Sequence, residues 1–115
     1  MLKNALRLDS RVAIYVPGTV DVDKTDAGAA ERMTARVARD LSDLFGGATI
    51  TDGRGAWVSD VAGLVMENVR IVYSFSTADA ITKHIDEIER IIETVKTEMR
   101  QEAVSVEIDG ALYIA

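Results

Sequence analysis

The chain has no cysteine, which excludes disulfides, thiolate metal centres and a cysteine nucleophile. It has a single histidine, His84, so no site can draw two imidazoles from one chain. The single proline, Pro17, leaves no room for proline-rich recognition segments. Aromatic residues are scarce at 5%, so each one present becomes a candidate anchor or core filler. No stretch reaches the roughly 20 apolar residues that a membrane-spanning helix needs. Residues Met1 to Asp9 carry no apolar run of the kind that leads a chain out of the cell, and a cytoplasmic protein is expected. Positive charge is the minority sign: 13 Lys and Arg stand against 19 Asp and Glu, a net charge of −6. Such a field repels phosphates, so direct nucleic-acid binding is not expected.

What is present suits one globular unit. The 115 residues are expected to form a single α+β domain over 1–115. Apolar residues make up 48%, too many for a disordered chain. Val12, Ile14 and Val16 alternate with Ala13 and Tyr15, predicting a strand over Arg11–Val16 that Pro17-Gly18 ends. Thr19 to Thr25 reads as an acidic loop. A helix is predicted from Asp26 to Phe45, on the stripe Met33, Val37, Leu41, Leu44 and Phe45, stopped by Gly46-Gly47. Ala48–Thr51 and Gly55–Ser59 read as one strand bent at Asp52-Gly53-Arg54-Gly55, with a loop over Val61–Glu67.

The strand Val69–Ser76 is predicted to turn Val69, Ile71, Tyr73 and Phe75 to the core. A second helix, Ala78–Gln101, follows, with Ser76 and Asp79 as a capping pair and Ile81, Ile85, Ile88, Ile92, Val95 and Met99 as its seam. A strand over Ala103–Ile108 and the hairpin dipeptide Asp109-Gly110 lead into a last strand, Ala111–Ile114. The order βαββαβ predicts a ferredoxin-like fold, with two helices on one face of an antiparallel sheet and a C-terminal β-hairpin extension.

Candidate sites are few. Asp21, Asp23 and Asp26 lie near one another, and Asp21 and Asp23 alternate as the first ligands of a calcium loop do, but Asp26 stands where that loop needs Gly and Arg32 where it needs an acid, so no metal is expected. His84 has Glu87 one turn on, yet no nucleophile accompanies the pair, and no catalytic residue is assigned. No cofactor is expected. In Asp52-Gly53-Arg54-Gly55-Ala56-Trp57, two glycines frame Arg54 and the only Trp follows, a pattern that suits a partner-contact hot spot. It also suits a bulge whose Trp57 caps the core and whose Arg54 pairs with Asp52. Glu87 and Glu93, on the acidic face of the second helix, are candidate partner contacts as well. The sheet face away from the helices should present Ala13, Tyr15, Val72, Ser74, Ser105 and Glu107. A homodimer closing on Tyr15 and Val72 is expected there.

Taken together, Arg11–Thr19, Phe45–Thr49, Asp52–Trp57 and Ala103–Gly110 resemble an uncharacterised family of small ferredoxin-like proteins of bacteria, plasmids and phages. The resemblance implies no established activity, but it implies a mobile-element setting in which small acidic proteins inhibit host defence, anti-CRISPR proteins among them. The leading expectation is therefore a non-enzymatic protein-binding module, an anti-defence inhibitor of anti-CRISPR type, whose partner is another protein. The alternative is a small dimeric ferredoxin-like enzyme or ligand-binding domain. Its pocket would lie between helices and sheet, lined by Tyr73, Trp57, Arg54 and His84.

Overall fold

A computed structural model describes residues 2–20 and 24–115. The acidic residues Asp21 and Asp23 lie outside the described residues. The first strand, β1 (Ser10–Pro17), is followed by two short strands, β2 (Thr19–Val20) and β3 (Lys24–Thr25), which pair with each other where an unstructured loop was predicted. Gly18 makes the passage from β1 to β2 possible. Its N–H donates to the Asn68 carbonyl at 2.9 Å, and a Cβ there would sit 2.6 Å from that oxygen.

Helix α1 (Ala27–Phe45) begins where the Asp26 carboxylate accepts the Ala29 N–H at 2.9 Å. It ends at Gly46, whose φ of +91° lets its N–H reach the Ser42 carbonyl at 2.8 Å. Met33, Val37 and Leu41 are buried, as the stripe predicts.

Strands β4 (Thr49–Ser59) and β5 (Gly63–Ser76) form a long hairpin, and here the structure corrects the sequence reading twice. Every residue of β4 has an opposite number in β5, from Thr49↔Tyr73 to Ser59↔Gly63, so no bulge interrupts it. The segment Val61–Glu67, predicted as a loop, is mostly strand. Gly53 serves a different need from bending. A Cβ there would lie 3.2 Å from Val69 Cγ2 and 3.4 Å from Ile71 Cδ1, so the glycine makes room for two side chains of β5. The turn is held by Ser59 Oγ, which accepts the N–H groups of Val61 and Ala62 at 3.2 Å.

The second helix is divided. Helix α2 (Ala78–Lys83) stops at His84 and α3 (Ile85–Glu98) resumes. The His84 N–H is shared between the carbonyls of Ala80 and Ile81, both at 3.1 Å, which tightens the last turn of α2. Thr77, and not Ser76, caps α2, accepting the Ala80 N–H at 3.1 Å. The apolar seam survives the break: Ile81, Ile88, Ile92, Val95 and Met99 are all buried. Strand β6 (Ser105–Ile108) turns through Asp109-Gly110 into β7 (Ala111–Ile114).

Five strands make one antiparallel sheet in the order β4-β5-β1-β6-β7. Ile14 stands opposite both Val72 and Val106, and Val12 opposite both Ser74 and Ile108. Opposite residues of an antiparallel pair share a face. The core therefore joins Val12, Ile14, Val16, Val72 and Val106 to the apolar stripes of α1, α2 and α3.

This register reverses the expectation for β5. Val72 is 0% exposed on the helix side, and Ser74 lies buried beside it, its hydroxyl donating to the Gly47 carbonyl at 2.6 Å. Val69, Ile71, Tyr73 and Phe75 join Ala13 and Tyr15 on the opposite, open face. The physical reason is size. Small residues such as Val72, Ser74 and Ser76 let the helices approach the sheet, whereas Tyr73 and Phe75 are accommodated only where no helix covers them. Among the described residues, no helix is long and apolar enough to cross a membrane.

Candidate functional site

The β4–β5 hairpin runs past the N-terminus of α1, and the angle between them is a cleft of about 720 Å³. Its sheet wall is made by the helix-side residues of two facing pairs, Asp52↔Arg70 and Arg54↔Asn68. Its other wall comes from Ala27, Ala30 and Glu31 of α1, with Gly18 and Thr25 at the end.

Charge organises this cleft. The Arg70 guanidinium sits between two acids, with Nε 2.8 Å from Asp52 and Nη2 2.9 Å from Glu31. Two carboxylates thus hold one guanidinium across from α1. Arg54 is exposed, and no carboxylate among the described residues pairs with it. The result is two acids and two cations around a concave surface, one cation free to take an incoming anion. These ion pairs are solvent-accessible, and exposed pairs of this kind contribute only up to about 1 kcal/mol each to stability. Their worth lies in position.

The structure separates the residues that the sequence reading grouped. Arg54 lines the cleft, but Trp57 is three positions on in a strand, and odd spacing puts it on the other face. It is 47% exposed on the hairpin and neither caps the core nor joins Arg54. Asp52 pairs with Arg70, not with Arg54. Tyr73 is also on the open face, under the Arg11 guanidinium at 4.0 Å and edge-on to Phe75. His84 lies elsewhere, packed edge-on against Phe45, with Nδ1 3.6 Å from Glu87 Oε2. Of the four expected pocket liners only Arg54 is one. Glu87 is half-buried beside His84 and Glu93 is exposed on α3, both away from the cleft. Tyr15 is half-buried on the open face, as expected, but Val72 is core and cannot meet a second copy.

Asp26, the described acid of the Asp21–Asp26 loop, caps α1 with its carboxylate. Among the described residues no three acids or imidazoles gather as a metal site would require. Arg70, Glu31 and Asn68 were missed by the sequence reading. For Arg70 and Asn68 the only signal is the pairing register of β4 with β5, which composition does not carry, and Glu31 reaches the cleft from α1 through tertiary packing.

No protein-family model matches the chain, and no curated protein does. Two solved structures share its fold. A phage SAM lyase in complex with S-methyl-5′-thioadenosine aligns with 100% of this chain and 95% of its own, at TM-score 0.67 and 19% identity. A phage SAM lyase in its apo state aligns over the same shares at TM-score 0.65 and 16% identity. Both neighbours are enzymes. They overturn the expectation of a non-enzymatic module of anti-CRISPR type.

Proposed function

We propose that this protein is a small enzyme that cleaves S-adenosylmethionine, releasing S-methyl-5′-thioadenosine, with the cleft between α1 and the β4–β5 hairpin as its substrate site. The observation that carries the reading is the alignment of the whole chain with a SAM lyase in complex with S-methyl-5′-thioadenosine. The cleft supports it independently. The substrate's amino-acid end is a zwitterion, with one carboxylate and one ammonium. Arg54 offers a planar guanidinium to the carboxylate, and Asp52 and Glu31 offer oxygens to the ammonium. The volume, about 720 Å³, lies within the range of small-molecule sites.

The bond change itself is simple. One carbon–sulfur bond breaks and its electron pair passes to sulfur, while the carbon that leaves gains a bond from an oxygen of the substrate's own carboxylate and its fragment closes to a lactone; a sulfonium cation becomes a neutral thioether, and no water or other co-reactant is consumed. Positive charge on sulfur is therefore lost as the transition state forms. A carboxylate held against the sulfonium would stabilise the ground state more than the transition state and slow the reaction. The acids of this cleft serve catalysis best at the ammonium end, where the charge persists. The strand plan supports the ferredoxin-like reading of the fold as well. Strands β4, β5, β1 and β6 neighbour one another antiparallel in that order, while β7 and the small β2–β3 pair lie outside the plan.

The test is to incubate the purified protein with S-adenosylmethionine and separate the nucleosides by chromatography. S-methyl-5′-thioadenosine should accumulate as substrate disappears. Arg54→Ala should reduce kcat/KM on the order of tenfold or more, the cost of a lost charge-assisted contact. Absence of both turnover and calorimetric binding of substrate and product would overturn the proposal.

A further inference from the structure

Arg70 joins both acids of the cleft, and it does so across three elements. It stands on β5, Asp52 faces it from β4, and Glu31 comes from near the start of α1. Its guanidinium donates through Nη2 to Glu31 Oε2 at 2.9 Å, and its Nε lies 2.8 Å from Asp52 Oδ1. These contacts are made in reach of water: the side chain of Asp52 is 84% exposed, that of Glu31 65% and that of Arg70 37%. Pairs so exposed add little to stability, and fixing three polar side chains costs conformational entropy. The arrangement is explained better by what it does to the acids than by what it does for the fold.

Asp52 and Glu31 set two negative charges against the two positive charges of Arg54 and Arg70, so the four side chains sum to zero. Without Arg70 the cleft would hold a surplus negative charge on two carboxylates free to turn. The substrate is a net cation, and only a short carbon chain separates its ammonium from its sulfonium. A carboxylate that swings from the first to the second tightens binding of the substrate and slows its cleavage, because the positive charge on sulfur is being lost in the transition state.

We propose that Arg70 is a positioning residue, which restrains Asp52 and Glu31 at the ammonium end of the cleft and keeps their charge off the sulfonium. The role rests on the reading of the cleft as a site for S-adenosylmethionine. Arg70 acts through the two acids, to which its Nε and Nη2 are committed, and not on the reacting atoms. Its loss therefore acts on the two kinetic constants in different ways. Freed acids hold the cationic substrate at least as well, so KM does not rise, while the bond to sulfur breaks more slowly.

Steady-state kinetics on S-adenosylmethionine test this. Arg70→Gln should lower kcat roughly tenfold, the effect of a unit charge a few ångströms from the sulfonium, with KM level or lower. In the Arg70→Gln background, Asp52→Asn makes the charges sum to zero again, and kcat should return to within about threefold of the unmodified enzyme. This double variant is read in kcat alone, because Asp52 also takes part in binding. Arg70→Lys, which keeps the charge on one nitrogen, should hold kcat within about threefold. An unchanged kcat or a raised KM in Arg70→Gln would overturn the proposal. So would a loss of kcat that Asp52→Asn leaves in place or that Arg70→Lys shares. An Arg70→Gln chain that is unfolded by circular dichroism would overturn it too, since the guanidinium would then belong to the fold. All of these outcomes leave the reading of the cleft standing. An unmodified protein that neither turns over nor binds S-adenosylmethionine would remove that reading, and the role of Arg70 with it.

Discussion

Single positions in this protein are set by what stands opposite them. Gly18 shows this most sharply, since the nearest atom to an added Cβ is a backbone carbonyl at 2.6 Å, and backbone cannot swing aside. Gly18→Ala should cost about 1–3 kcal/mol, as overpacking does, and chemical denaturation would measure it. Gly53→Ala should cost less, because its neighbours at 3.2 and 3.4 Å are side-chain methyl groups of Val69 and Ile71 that can shift. Val72 gives the same lesson with the opposite sign of chemistry. It is fully buried against Ile14, so Val72→Lys should lower the melting temperature steeply, a cost on the order of several kcal/mol for an unpaired buried cation. A folded Val72→Lys variant with unchanged stability would contradict the register of β5.

Element ends are held by short polar side chains. Asp26 caps α1 and Thr77 caps α2, each accepting one amide hydrogen bond. Either change to Ala should cost about 1 kcal/mol, and Thr77→Ala should loosen α2, which has only six residues, more than Asp26→Ala loosens α1. Hydrogen exchange at Ala80 and Ile81 would report that difference. The β6–β7 hairpin has its own lock. Asp109 Oδ1 accepts the Arg11 N–H at 2.7 Å while the Asp109 N–H donates to the Arg11 carbonyl at 3.0 Å. Its φ is also left-handed, which Asn tolerates and Ala does not. Asp109→Asn should therefore be nearly neutral and Asp109→Ala destabilising by about 1–2 kcal/mol, as thermal melts would show.

The molecule as a whole carries a concave, mixed-charge side and a flat, apolar open side. The proposed ligand should stabilise the folded chain by mass action, by about 2.7 kcal/mol at a hundredfold excess over Kd. S-adenosylmethionine should raise the melting temperature of the unmodified protein and of Trp57→Ala, since Trp57 faces away from the cleft. It should raise that of Arg54→Ala distinctly less, because the contact to the substrate's carboxylate is gone. Equal shifts in all three would place the ligand elsewhere.

The amino-acid sequence alone determined the elements that local periodicity and punctuation specify. The β1 alternation, the α1 stripe ended by Gly46 and the Asp109-Gly110 hairpin all stand where residue spacing puts them. Local chemistry also settled which stripe of α1 and of the α2–α3 seam is buried, because those faces have no equally apolar rival. Strand β5 had two. Val69, Ile71, Tyr73 and Phe75 make the more hydrophobic set, yet Val72, Ser74 and Ser76 lie inward, because pairing with β1 and close approach of the helices decide a face that alternation leaves ambiguous. The cleft depended on tertiary structure even more. Glu31, Asp52 and Arg70 are far apart along the chain and meet only because β4 pairs with β5 in one register beneath the start of α1. A one-residue slip in that hairpin would turn Asp52 and Arg54 to the open face, and the sequence pattern contains no term that forbids it.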